Sequence, residues 1–398
     1  MIRGRVAALL GIILVALSLR TAVASLSPIV GQISHDVPLS AVSLGIIGAA
    51  PPIVFALAGF FVPRLVHRIG IDSGLLLASL TMAVGLLARA LAPNVVVLII
   101  ATVLSFVGAG IGNILLPPAV KKYFPDRMAQ LTSVYAVLLS VGAALPALAA
   151  VPVATAFGWR ASLAVWFVIA VIAVAPWVLN AARHRQASAD PANLVEEEPA
   201  LEGRMARSAT AWSLAVVFAV SSMNVYAMFA WLPQLLVDSA GVSATTAGAL
   251  LSLYAIIGLP GALLIPLIAT RVKRVGLLIG IAVGGFFVSD LGLILAPRAA
   301  PALWIVLSVF GQVLFPLALF LINARSRTHA GSVALSGFVQ AVGYTIGALS
   351  PILFGLLAQL TGGWTASLVF LLVVTLAAIP AGIVLSKPRY VEDQLVRR

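Results

Sequence analysis

Twelve apolar runs, most of them close to the roughly 20 residues a helix needs to cross a bilayer core about 30 Å thick, follow one another almost without interruption. Hydrocarbon offers no hydrogen-bond partners, so each run must satisfy its own backbone N–H and C=O groups as a helix. The runs are Ala7 to Val30, Val42 to Val62, Ser73 to Ala92, Val95 to Pro118, Leu131 to Thr155 and Ala161 to Leu179, then Ala211 to Leu236, Thr245 to Ile268, Val275 to Ala296, Ala302 to Asn323, Val333 to Gln359 and Trp364 to Leu385. The first is longer than a secretory apolar region and lacks a clear small-residue cleavage site, so it reads as a retained helix. Only 9% of the 398 residues are charged, against about 25% in a soluble domain, which makes lipid the main solvent.

The formal net charge of +12 is scattered through short loops, whereas a nucleic-acid binder gathers its basic residues on one face. Of the 24 Lys and Arg residues, the alternation of spans puts 20 on one side. Arg89, Arg160 and Arg298 fall on the other, and Arg20 lies within a span. Because positive loops stay in the cytoplasm, both termini are expected there, in a bacterial cytoplasmic membrane. Cysteine is absent, which removes disulfides, thiolate nucleophiles and cysteine-ligated metals from consideration. The four histidines sit in or beside loops, so no metal site or catalytic relay is expected and the chain does not read as an enzyme.

Between the sixth and seventh runs, residues 182–209 contain Arg183, Arg185, Pro191, Pro199 and the acidic run Glu196, Glu197 and Glu198, the composition of a solvated tether. The expected layout is a six-helix bundle over 1–181, a cytoplasmic linker over 182–209, and a second six-helix bundle with a short tail over 210–398. The two bundles repeat each other. Gly142 precedes Pro146 by four residues in the fifth run, and Gly347 precedes Pro351 by four in the eleventh, an offset of 205. The same offset carries GWRASL at 158–163 onto GWTASL at 363–368, and Pro28 onto Pro233. GNILLPPA, from Gly112, matches GQVLFPLA, from Gly311, at an offset of 199. A parallel duplication of six helices suits a carrier whose halves rock around a site near the bilayer midplane; Gly and Pro within paired helices suit bending and repacking.

Arg20 is the sharpest chemical feature. It lies about 13 residues into its span, or roughly 20 Å, too deep to reach either surface easily. A cation at that depth faces a partner or a water-filled cavity. One reading is a structural ion pair; the other is a planar fork of donors for a small anion. Asn113 and Gln312 are equivalent amides of the two halves, able to hold a solute or to bond between helices. Tyr135 and Gln340 pair at the 205 offset, Tyr344 lies one turn beyond Gln340, and Asn224 and Tyr226 flank Val225, the counterpart of Arg20. Together these outline a substrate site, although each aromatic taken singly fits packing or an interfacial belt. Asp290, near the outer end of the ninth run, fits a structural role better than proton coupling. Gly59, Pro63, Arg64 and Arg68 form a basic turn at the inner end of the second run, and with Gly142, Pro146, Gly347 and Pro351 they are the expected gating and structural positions.

SLRTAVASLSPIV (Ser18 to Val30), GIGNILLPPAVKKYFPDR (Gly110 to Arg127), AWLP (Ala230 to Pro233) and FVQAVGYTIGALSP (Phe338 to Pro351) resemble the cyanate and nitroimidazole permease family of the major facilitator superfamily, nearly end to end. The resemblance implies an all-α fold of two pseudo-symmetric six-helix bundles and gradient-linked carriage of small anions or polar organic compounds, with Arg20 belonging to the family pattern. GFFVPRLVHR (Gly59 to Arg68) looks like the superfamily's loop motif, but Pro63 stands where that motif has aspartate and Val66 where it has glycine. This departure puts the usual charge-relay account of inner-gate locking in doubt. The expectation is a monomeric secondary transporter of a small anionic or polar solute, without cofactor apart from proton coupling. The alternatives are a proton-coupled exporter of neutral or cationic compounds, and a channel or scaffold.

Overall fold

The computed structural model describes residues 2–39, 41–189, 204–272 and 274–395. The linker's acidic run and prolines, Lys273, Arg397 and Arg398 lie outside the described residues. Every described element is helical: α1 (Ile2–Ala24), α2 (Val30–Asp36), α3 (Ala41–Ala90), α4 (Val95–Tyr123), α5 (Met128–Ala189), α6 (Ala209–Leu235), α7 (Ala244–Arg271), α8 (Val275–Leu295), α9 (Pro301–Gln312), α10 (Leu314–Ala324), α11 (His329–Thr361), α12 (Thr365–Leu376), α13 (Ala378–Leu385) and α14 (Glu392–Leu395), with short single turns between some of them.

Ten helical stretches among the described residues are long and apolar enough to cross a membrane. Two of them, Ala50–Ala90 with 41 residues and Pro125–Ala182 with 58, are each long enough for two crossings. Each is broken at one glycine, Gly70 (φ 79°, ψ 164°) or Gly158 (φ 83°, ψ 156°). A side chain would be strained at those angles, so glycine turns the chain in one residue where the sequence suggests open loops. Twelve spans result, as expected. Arg64, His67 and Arg68 accordingly stand on a helical extension that runs to the break at Gly70.

Two other spans are interrupted for a different reason. Proline cannot donate a backbone N–H and its ring crowds the carbonyl four residues earlier. Pro316 thereby separates α9 from α10 at Val313, and Pro380 separates α12 from α13 at Ala377.

The chain forms two compact units, residues 1–201 with 328–337, and residues 202–327 with 338–398. The first turns of α11 therefore belong to the first unit. There the Ser336 hydroxyl donates to the Ile114 carbonyl at 2.8 Å, and a Cβ on Gly337 would overlap Pro63 and come within 2.7 Å of the Gly59 carbonyl oxygen. Each unit has an apolar cluster, around Ile29, Ile33, Leu98 and Leu163 in the first and around Leu232, Leu236, Phe354 and Leu371 in the second.

Candidate functional site

In the first unit, α1, α4 and α5 pack together where the sequence places its strongest candidates. Arg20 is half-buried on α1. It lies beside Gly142 of α5: a Cβ there would overlap the Leu17 carbonyl oxygen and stand 3.4 Å from Arg20 Cβ. Only glycine lets the two backbones approach so closely, a use of small residues common between membrane helices. On α4, Gly112 meets Leu19 and Val15, at 2.7 and 3.1 Å from the position of a Cβ, and carries buried Asn113 beside it. Tyr135 on α5 is also buried.

A second deep guanidinium lies in this unit. The alternation of spans assigns Arg89 to an outer loop, yet it is fully buried, its Nη1 donating to the Ala22 carbonyl at 2.8 Å and its Nη2 to Ser25 Oγ at 2.5 Å. These bonds occupy acceptors at the carboxyl end of α1, a place where helices favour cations. Its position just inside the end of an apolar run was the available signal. Arg20 is thus accompanied in the first unit by a second guanidinium, and this one is fully buried.

In the second unit the duplicated glycine repeats its role. A Cβ on Gly347 of α11 would come within 2.7 Å of Ser222 Cβ and 3.5 Å of the Tyr226 ring on α6. Ser222 is the 205-offset counterpart of Leu17. Tyr226 and Tyr344 stand with ring centroids 6.5 Å apart, and Tyr344 meets Phe218 edge-on at 5.0 Å. Gln340 is buried one turn before Tyr344.

The two expected amides of this unit turn into its packing. Asn224 Nδ2 donates to the Val220 carbonyl at 2.9 Å and to Thr375 Oγ1 on α12 at 3.1 Å. Gln312 Nε2 donates to the Tyr254 carbonyl on α7 at 3.1 Å and to Ser308 Oγ at 3.3 Å. Both amides join helices within the unit.

The GWRASL and GWTASL motifs form the same corner in each unit. Trp159 Nε1 donates to Asp36 Oδ2 at 2.8 Å, and Trp364 Nε1 donates to Asp238 Oδ2 at 2.9 Å. Ser162 Oγ donates to the Ala150 carbonyl, and Ser367 Oγ to that of Phe354. The corners differ in one partner. Arg160 also binds Asp36, at 2.8 Å, whereas in the second unit Thr365 replaces it and Gln234 donates to Asp238 instead. The Trp159 bond, then the Arg160 bond, hold the Asp36 carboxyl below the usual carboxylate range.

Among the expected gating positions, Gly59 and Pro63 face Gly337, as described above. Arg64 Nη1 turns back onto the Phe60 carbonyl at 2.9 Å, and Arg68 is exposed. Pro146 is buried, and the Pro351 carbonyl accepts a 2.8 Å bond from Trp231 Nε1. Near the motif whose aspartate is replaced by Pro63, a different acid is paired. Asp72 is 2% exposed and accepts from Lys122 Nζ at 2.8 Å and from the Tyr123 hydroxyl at 2.7 Å, which fastens α3 to the end of α4. Sequence reading assigns every acid but Asp290 to loops or tails; Asp72 follows the one-residue turn at Gly70 directly and is drawn into the packing. Among the described residues, no three His, Cys, Asp or Glu side chains gather as metal ligands.

A family model described as Major Facilitator Superfamily matches residues 9–347. An uncharacterized transporter, YycB, of Bacillus subtilis (strain 168) is 30% identical over 96% of this chain and 94% of its own length. Two Escherichia coli (strain K12) proteins are each 28% identical: a 2-nitroimidazole transporter, over 94% of both chains, and the cyanate transport protein CynX, over 94% of this chain and 97% of that one. Among solved structures, that of the proton:xylose symporter XylE bound to 6-bromo-6-deoxy-D-glucose superimposes with a TM-score of 0.73 at 14% identity, covering 98% of each chain, a likeness of fold.

Proposed function

The chain belongs to the Major Facilitator Superfamily of membrane transporters, and from that premise we propose that it carries a small anionic or polar solute across a bacterial cytoplasmic membrane by alternating access, as a monomer with both termini in the cytoplasm. The observation that carries the reading is Arg20, a half-buried guanidinium four residues before the end of α1, where Gly142 approaches the α1 backbone. A planar fork of donors in a low-dielectric setting attracts an anion and orients one with two acceptor atoms. Buried Arg89 adds positive potential to the same unit. Relatives named for cyanate and for 2-nitroimidazole transport bracket the size of solute: a three-atom anion and a small polar heterocycle. Asn113 and Tyr135 are the further candidate contacts of the first unit, and Tyr226, Gln340 and Tyr344 are those of the second. The channel reading has no observation in its favour.

The test is uptake of radiolabelled cyanate and 2-nitroimidazole into proteoliposomes. Arg20→Gln should abolish saturable uptake while leaving folded protein in the membrane, and Arg20→Lys should restore it in part. Uptake by Arg20→Gln at the normal rate would refute the role. Proton-coupled export of a neutral or cationic compound is the second reading, favoured by the unpartnered Asp290 oxygen in the second unit. Drug efflux against a gradient, insensitive to Arg20→Gln, would support it.

A further inference from the structure

Asp290 stands five residues before the end of α8, 1% exposed, and its Oδ2 has no hydrogen-bond partner. It lines a cavity of about 10 Å³ together with Tyr254 of α7, Asn224 of α6 and Ser308 of α9. That is room for about one water-sized species. Two more polar atoms in the cavity lining are buried and unpartnered, the Tyr254 hydroxyl and Asn224 Oδ1. Three unpartnered polar atoms from three helices thus border one small space, and buried polar atoms in folded proteins nearly always find partners.

The count of donors and acceptors says what is missing. Both Asn224 amide hydrogens are engaged by Val220 and Thr375, so its Oδ1 can only accept. An ionised Asp290 can only accept as well, and Tyr254 offers a single O–H. Tyr254 and Ser289 can each donate a hydroxyl proton, yet an ionised carboxylate would still stand in low dielectric without a cation. One added proton on the carboxyl removes that charge. A bare metal cation suits the place less well: hard cations take about six oxygen ligands, and the lining offers only the Asp290 carboxylate, the Tyr254 and Ser289 hydroxyls and Asn224 Oδ1. Tyr254 is the sole other titratable side chain in the lining, and the stretches 301–312 and 365–385 that pack against α8 contain none.

We propose that Asp290, with Tyr254 and Asn224, forms a proton-binding site inside the second unit, separate from the Arg20 site, and that this site takes the proton driving the carrier. Hydronium gives its proton to the carboxylate and leaves water; the new carboxyl O–H is then a further donor beside Asn224 Oδ1. Only the coupling half of the proposal rests on the transport reading.

Infrared spectroscopy of the purified full-length protein, reconstituted in lipid, tests the site without any solute. The wild type should show a carboxylic-acid C=O band at neutral pH that vanishes in alkali, moves on [13C]aspartate labelling, and is missing from Asp290→Asn. Tyr254→Phe should keep the band at a changed frequency. A neutral-pH spectrum without a band that responds to [13C]aspartate overturns the site, and this measurement stands even if Asp290→Asn fails to fold. Coupling is read separately, with radiolabelled cyanate: Asp290→Asn should lose accumulation driven by a pH gradient at least tenfold while exchange across the membrane persists. Undiminished accumulation overturns the coupling half; absence of any cyanate movement in the wild type counts against the proposed solute and leaves the infrared result standing.

Discussion

Gly142 presses against the carbonyl oxygen of Leu17, and 205 residues further on Gly347 presses against Ser222, the counterpart of Leu17. The offset visible in the sequence is therefore an offset in space: the same helix pair of each unit is closed at the same place by the same missing side chain. In the first unit that place is also the level of Arg20.

The two glycines should differ in tolerance. At Gly142 a new Cβ would overlap the Leu17 carbonyl oxygen, whereas at Gly347 its nearest neighbour, Ser222 Cβ, would be 2.7 Å away. Overpacking costs about 1–3 kcal/mol, and Gly142→Ala should fall at the upper end with Gly347→Ala below it. Melting of the detergent-solubilised variants, followed by size-exclusion chromatography, would rank them; equal melting temperatures would contradict the geometry.

Arg89 bridges two acceptors with a planar fork. Arg89→Lys keeps the charge but lacks the fork, and a hydrogen bond to a charged group is worth about 1.5–3 kcal/mol. Arg89→Lys should lower stability by about one such bond, and Arg89→Ala by more, since the Ala22 carbonyl and Ser25 lose their donor together. Thermal stability in detergent is again the readout, and a neutral Arg89→Ala would show that the two bonds contribute nothing.

Asp72 is nearly inaccessible and carries both a lysine and a tyrosine. Removing one partner of a buried pair costs about 3–5 kcal/mol, more than replacing both. Lys122 is only partly buried, so the lower end applies. Asp72→Asn should therefore be more damaging than the double change Asp72→Asn with Lys122→Met, an order that a double-mutant cycle on unfolding midpoints can reverse or uphold.

The Asp36 corner of the first unit should respond to acid. The Asp36 carboxyl is held below its ordinary value of 3.8 by Trp159 and Arg160. A depressed carboxyl contributes stability that is complete above its unfolded value and disappears as pH falls through the folded one. Melting temperature should stay level down to about pH 4 and drop below it, with a shallower drop in Asp36→Asn. Identical acid limbs for the two proteins would exclude the corner as their cause.

Much of this architecture was legible because the bilayer constrains it so strongly. Twelve runs, the GWRASL and GWTASL repeat and the paired glycines follow from apolar length and self-similarity alone. The turns at Gly70 and Gly158 were not, because a glycine with positive φ looks no different in sequence from one in a loop. Arg89 was misplaced by a rule that counts charges near span ends without asking whether they fold back onto a helix terminus. Asn224 and Gln312 look like cavity amides, but the choice between a solute and a neighbouring helix depends on which side of the helix faces α12 or α7, and amide spacing alone does not decide that. Asp290 was visible, whereas the unengaged Tyr254 and Asn224 atoms around it come from runs far apart in the chain.

The tryptophan-to-aspartate bond closes entirely within the first half, between Asp36 and Trp159, and again within the second, between Asp238 and Trp364. A ribosome finishes the first pair long before it begins the second. Each half can thus fasten its own corner as it leaves the translocon, with no need to wait for the other, and a duplicated ancestor would have brought this self-sufficiency with it from the time when one half was the whole protein.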